Sequence, residues 1–129
     1  MKKEIIYVEK TNGYNHDEEA WIGYGLFNRT RKTIYFNGRV FGKGRSRVGN
    51  FLDIKTGEEF WVSGVKKNGQ DRHWTGKGKI NIDESAMQEY LEHTNQPELP
   101  KSKFTVVKFD NNPKINLAYK IENGQGKKQ

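Results

Sequence analysis

Through most of the first eighty positions the apolar residues recur at every second place, the period of a half-buried β-strand and not the 3.6 of a helix. A chain patterned in this way has to pair its strands into a sheet with one apolar face. Read in that period, Glu4 to Val8 is a first strand and TNGYNHDEE, from Thr11 to Glu19, is a polar loop rich in turn formers. Ala20 to Asn28 and Thr33 to Phe41 then form two long strands joined by the basic turn Arg29-Thr30-Arg31-Lys32. In the first of these, Trp21, Gly23, Gly25 and Phe27 share one face, and Ala20, Ile22, Tyr24 and Leu26 the other. Two glycines on one face of a strand predict a bend, a bulge or a closely approaching group. Bending of this sort curls a small sheet towards closure.

After the loop KGRSRVGN come a strand from Phe51 to Ile54, the turn Lys55-Thr56-Gly57-Glu58, and a strand from Glu59 to Val65. Gly57 supplies the positive φ that such a loop needs. Asn68-Gly69 predicts a two-residue type I′ hairpin, which sets Lys66 opposite Asp71, Val65 opposite Arg72 and Ser63 opposite Trp74. On this register Trp61, Ser63, Val65, Arg72 and Trp74 lie on one face, and Phe60, Val62, Gly64, Asp71 and His73 on the other. Lys79 to Ile82 is a further short strand. An acidic first turn, Asp83-Glu84-Ser85, opens one helix over about 84–93, whose apolar stripe is Ala86, Met87, Tyr90 and Leu91. Pro97 and Pro100 end that segment, and Phe104 to Phe109 is a closing strand. The expected fold is mainly β (α+β): a small, curved, antiparallel barrel-like meander of SH3-like or OB-like type, with six to seven strands and one helix in the second half. Residues 1–110 form one domain, and 111–129 are a flexible tail or an added edge strand.

Composition decides whether such a barrel can hold together. Leu, Ile, Val and Phe make up 28 of 129 residues, just above the roughly 20% below which a charged chain stays unfolded. Aromatic residues, at 12%, must therefore supply much of the core. The chain has no cysteine, which excludes a disulfide scaffold, a zinc ribbon and a thiol nucleophile. No apolar run is long enough for a leader or a membrane span, so a cytoplasmic location without membrane contact is expected.

The net charge of +7 is unevenly spread. Residues 20–52 contain seven basic and no acidic side chains, while the remaining segments cancel. The seven are Arg29, Arg31, Lys32, Arg39, Lys43, Arg45 and Arg47. Arginine predominates among them, which suits planar recognition of phosphate. With Tyr24, Tyr35, Trp61 and Trp74 as stacking platforms, this stretch reads as a surface for a single-stranded nucleic acid. The competing readings are a solvated basic surface over aromatics that belong to the core, and a patch for an acidic protein.

Signals for catalysis are weaker. Asp71 and His73 share a face, with Gly64 leaving space above them, so an Asp–His pair orienting a general base is one reading, with Arg72 beside it as a ligand contact. The other is an ion pair of Lys66 with Asp71 beside a structural imidazole. Ser63 faces away from His73, and the G-x-G pieces lack both Walker spacing and a strand-to-helix fingerprint. His16, His73 and His93 are far apart, and HDEE lacks the spacing of a calcium loop, so neither a metal nor a cofactor is expected. A binding module is expected before an enzyme.

The segments YVEKTNGYNHDEEAWIG, TIYFNGRVF, DIKTGEEFWVSGVKKNGQDRHWTGKGKI and DESAMQEYLEHT resemble a group of small uncharacterised bacterial proteins, over most of residues 5–109 and most specifically at KKNGQDRHW. The resemblance implies a bacterial single-domain protein and brings no catalytic residue with it. Some of that group carry the label deoxyxylulose-phosphate synthase. A thiamine-diphosphate enzyme of that kind needs several domains, which 129 residues cannot contain.

Overall fold

The computed structural model describes residues 1–11, 19–44, 49–71 and 78–113. It contains β1 (Lys2–Lys10), β2 (Ala20–Phe27), β3 (Thr33–Phe36), β4 (Arg39–Lys43), β5 (Phe51–Asp53), β6 (Glu59–Gly64), β7 (Ile80–Asp83) and β8 (Phe104–Val107). A 3₁₀ turn, Glu84–Ala86, leads into the single helix among the described residues, α1 (Met87–Thr94). Strands β1 to β6 pair antiparallel in sequence order, and β6 returns to pair with β1, which closes a six-stranded barrel. The curved antiparallel meander expected from the period-two pattern is thus present and closed. Its sequential order is that of a meander, without the Greek-key crossover of an OB-fold.

One expected strand is in fact two. The run Thr33 to Phe41 is broken by a tight turn at Asn37 (φ 48°) and Gly38 (φ 75°), and β3 folds back on β4 with Phe36 opposite Arg39. Positive φ at both central residues is the type I′ condition, which the Asn-Gly pair meets at little cost. The turn resets the alternation. Read straight through, Ile34, Phe36, Gly38 and Val40 share a face; with the turn, Ile34, Phe36, Arg39 and Phe41 do.

The barrel interior is filled mainly by aromatics. Phe27, Phe36, Phe41, Phe51, Phe60 and Phe109 pack there with Ile6, Val8, Ile34 and Val62. Phe41 and Phe60 meet at a centroid distance of 4.8 Å, and Phe36 and Phe109 edge to face at 5.2 Å. Rings in these arrangements add to the area they bury, which offsets the scarcity of aliphatic side chains.

Strand β2 explains the two glycines. One of its edges pairs with β1 throughout, but the other is shared: Ala20–Ile22 run parallel to β7, and Leu26–Phe27 pair with β3. Gly23 lies where the two partners diverge, and a Cβ there would sit 2.2 Å from the Phe109 ring. The closely approaching group is therefore Phe109, which fills the gap.

Strand β8 runs parallel to β7, a pairing that requires a crossover, and residues 84–103 supply it with α1. Ala86 and Tyr90 are buried, and Tyr90 joins Tyr7, Ala20, Ile22, Ile80, Ile82 and Phe104 in a second core on the outer face of β1, β2 and β7. Val106 on the edge strand β8 is 48% exposed.

The Asn68-Gly69 turn departs from expectation. Only Gly69 of the pair has a positive φ (72°), and the turn is closed by Gly69 N–H donating to Lys66 O at 3.1 Å. Asn68 stays out of the left-handed region, so the turn is not type I′; the expected partners Arg72 and Trp74 lie outside the described residues. Asp71 makes no ion pair with Lys66; its Oδ1 accepts the Lys66 backbone N–H at 2.6 Å. It turns towards α1, where its charge acts on Tyr90 and His93, and not to the Phe60 and Val62 side of β6.

Candidate polyanion interface

An antiparallel meander places alternate connections at the same end of the barrel. The β2–β3 turn and the β4–β5 loop therefore lie side by side, tied by Lys43 N–H donating to Lys32 O at 2.8 Å. The turn is shaped by Asn28, whose Oδ1 accepts the backbone N–H groups of Lys32 and Thr33, both at 3.1 Å. Arg29, Lys32 and Lys43 are exposed here and have no ion-pair partner among the described residues. Arg31 shares the turn but is engaged. It adopts a left-handed φ of 62°, stacks over Phe27 at 4.2 Å, and donates from Nη1 and Nη2 to Glu4 at 2.7 and 3.2 Å. Its guanidinium holds the Glu4 carboxyl below the usual carboxylate range.

Arg39 lies at the other end. The turn at Asn37-Gly38 points it into the barrel mouth, where it sits over Phe60 at 5.1 Å and its Nη1 meets Asp53 at 2.6 Å and Glu58 at 3.2 Å. Lys10 adds a further bond to Glu58 at 2.9 Å. Hydrogen bonds from Lys10, Thr56 and Arg39 hold the Glu58 carboxyl down at about 2. The acid-free stretch is thus split between the ends, and acids from residues 53–58 meet one half of it. Arg45 and Arg47 lie outside the described residues.

The stacking candidates also divide. Trp61 packs against the helix-side core, away from the cationic end, and Trp74 lies outside the described residues. Tyr24 and Tyr35 come together. They line a groove of about 410 Å³ on the outer barrel face, with Leu26 between them and Lys3 at its rim. Lys3 Nζ lies 4.6 Å from the Tyr24 ring centre, and the Tyr24 hydroxyl donates to Glu89 Oε1 at 2.8 Å. Burial, with Glu89 adding to it, pushes the Tyr24 phenol up to about 12, so it remains a donor at neutral pH.

The far wall of the groove is Asp110 to Pro113, part of a strap over residues 108–113 where the sequence pattern predicts a strand end and a tail. Asp83 anchors it. One carboxylate oxygen accepts Phe109 N–H at 3.1 Å, and the other accepts Asn111 Nδ2 at 2.8 Å and Ser85 Oγ at 2.6 Å. Burial pushes this carboxyl up, but the hydrogen bonds from Ser85, Asn111 and Phe109 outweigh it and leave the group below its ordinary value. Asp110 N–H donates in turn to Asn37 Oδ1 at 3.0 Å, tying the strap to the β3–β4 turn.

Of the Asp71, Arg72 and His73 cluster, only Asp71 lies within the described residues. It is buried at 2% exposure, its Oδ2 has no partner, and burial raises its pKa. The imidazole near it is that of His93, whose Nε2 contacts Val65 O at 2.9 Å. No group of three or more metal-ligating side chains occurs among the described residues, and no helix among them is long and apolar enough to cross a membrane.

The fold and site together define a six-stranded meander barrel, extended by a β7–α1–β8 crossover, with a cationic end and an aromatic groove on the outer face of β2 and β3 that reaches the β3–β4 turn at the opposite end. Comparison with protein-family models, curated proteins and solved structures returns no significant match, so any function rests on this geometry.

Proposed function

We propose that this protein is a binding module, not a catalyst, that contacts a polyanion, specifically single-stranded nucleic acid, through the end of the barrel carrying Arg29, Lys32 and Lys43. The supporting observation is that these three cations stand exposed on adjoining connections with no carboxylate partner among the described residues, whereas Arg39 and Lys10 at the opposite end are paired. Unpaired exposed cations attract phosphate without first breaking an internal ion pair. The backbone bond between Lys32 and Lys43 holds the two connections together, so less order has to be gained on binding.

Fluorescence anisotropy with labelled single strands of mixed sequence tests the reading. Binding is expected to weaken with added salt, with a log–log slope of about −2 if three phosphates are contacted at about −0.7 each. Absence of binding at low salt overturns it.

A further inference from the structure

We infer that the groove between Tyr24, Tyr35 and the 108–113 strap is a nucleobase subsite, which takes unpaired bases while their phosphates lie along the cationic end. The inference rests on the polyanion reading above and deepens it. The groove, at about 410 Å³, falls within the size range of small-ligand sites. Its Tyr24, Leu26 and Tyr35 side chains all come from the outward faces of β2 and β3, where a planar ring can lie against them. Tyr24 is held in place by its bond to Glu89, so its ring is ordered before anything binds. The strap adds a polar wall that includes Asn111, whose side-chain amide is oriented by its Nδ2 bond to Asp83.

Charge decides which part of a nucleotide enters. Besides Lys3, the charged residues lining the groove are Asp110 and Arg39, whose guanidinium is already engaged by Asp53 and Glu58, and Asp83 lies behind the strap, so the interior favours an uncharged ring over a phosphate. Phosphates are favoured just outside. Leu26 pairs with Tyr35, and Tyr35 is three residues from Lys32, a span of about 10 Å along the strand. Lys3, opposite Leu26 on β1, lies at the rim between the two environments. A base held in a duplex cannot enter such a groove without leaving its stack, so the subsite favours single strands.

The test compares a single-stranded oligonucleotide with a strand of equal length and charge in which the bases are replaced by abasic tetrahydrofuran residues. The intact protein is expected to bind the base-containing strand about tenfold more tightly for each base stacked, with the same salt slope for both. Tyr35→Leu and Tyr24→Leu should each bring the base-containing strand towards the affinity of the abasic one, leaving the abasic affinity unchanged. Equal binding of the two strands by the intact protein overturns the subsite while sparing the polyanion reading, and it needs no variant that might fail to fold. Failure of both strands to bind at low salt overturns the polyanion reading, and the subsite with it.

Discussion

The two ends of the barrel draw on the same basic stretch and treat it oppositely. At one end Arg39 is locked between Asp53 and Glu58 and roofs the ring of Phe60, so its charge is spent on holding the mouth together. At the other, Arg29, Lys32 and Lys43 stand in water on connections shaped by Asn28 and by one backbone bond. The difference teaches that a run of basic residues becomes a candidate site only where the fold keeps acids away from it. Arg31 lies between the cases, within the open turn but paired with Glu4.

A substitution that strikes neither end should move both readouts together. Gly23→Val drives a side chain into the Phe109 ring and unseats the strap, with an expected loss of about 3 kcal/mol in chemical denaturation and loss of abasic-strand binding only in proportion to unfolding. Near-native stability for that variant would show that Phe109 does not plug the gap.

Arg39→Met strikes the paired end alone. It leaves Asp53, whose side chain is 5% exposed, without its partner, at an expected cost of about 2 kcal/mol; this is below the cost of breaking a fully buried pair because Arg39 itself is 34% exposed. Arg39 also lines the groove, so the readout is the abasic strand, whose affinity should stay unchanged. A large affinity loss with intact folding would return Arg39 to the binding surface and break the contrast.

The combined variant Arg29→Ala, Lys32→Ala, Lys43→Ala strikes the open end. Stability should shift by less than about 0.5 kcal/mol, while binding at low salt weakens by about tenfold or more and the salt slope flattens by about 2. Thermal melting alongside anisotropy reads both.

The smallest effect is a pH dependence at the paired end. The Glu58 carboxyl is held down at about 2 from an ordinary 4.5, so its contribution to stability is complete above about 4.5 and is lost as pH falls towards about 2. Glu58→Gln should be less stable than the native protein at pH 7 by under about 1 kcal/mol, since the side chain is one-third exposed. The gap should close over that acid window in denaturation curves taken at successive pH values. A gap that persists unchanged to pH 2 would show that Glu58 does not act through its charge.

Legibility in the sequence followed the range of each interaction. Alternation along β2 groups Trp21, Gly23, Gly25 and Phe27 on one face and predicts a bend, a bulge or a close approach at its two glycines; the structure shows the close approach at Gly23. That the group is Phe109, on the far side of the chain's only described helix, could not be read locally. The Asn37-Gly38 turn carries the usual hairpin signal but lies inside a run that alternates acceptably without it, so Arg39 was placed on the surface when its phase after the turn directs it into the barrel mouth. At Asn68-Gly69 the same dipeptide does not form the tight hairpin, because Asn68 keeps out of the left-handed region while Asp71 caps Lys66 and turns to α1. The groove had half a signal: Tyr24 and Tyr35 were visible as candidates, but Lys3 and the strap were not.

By itself the sequence determined the class of the fold and the face of most strand residues, because both depend on a period of two and on turn chemistry within a few residues. It also determined that residues 20–52 carry positive charge without acids. Only the tertiary structure decided which of those charges remain available, since the pairing of β4 with β5 brings Asp53 and Glu58 to Arg39 and leaves Arg29, Lys32 and Lys43 at the opposite end. Electrostatic pairing depends on distance in space, and a closed meander brings strands together that the chain keeps far apart.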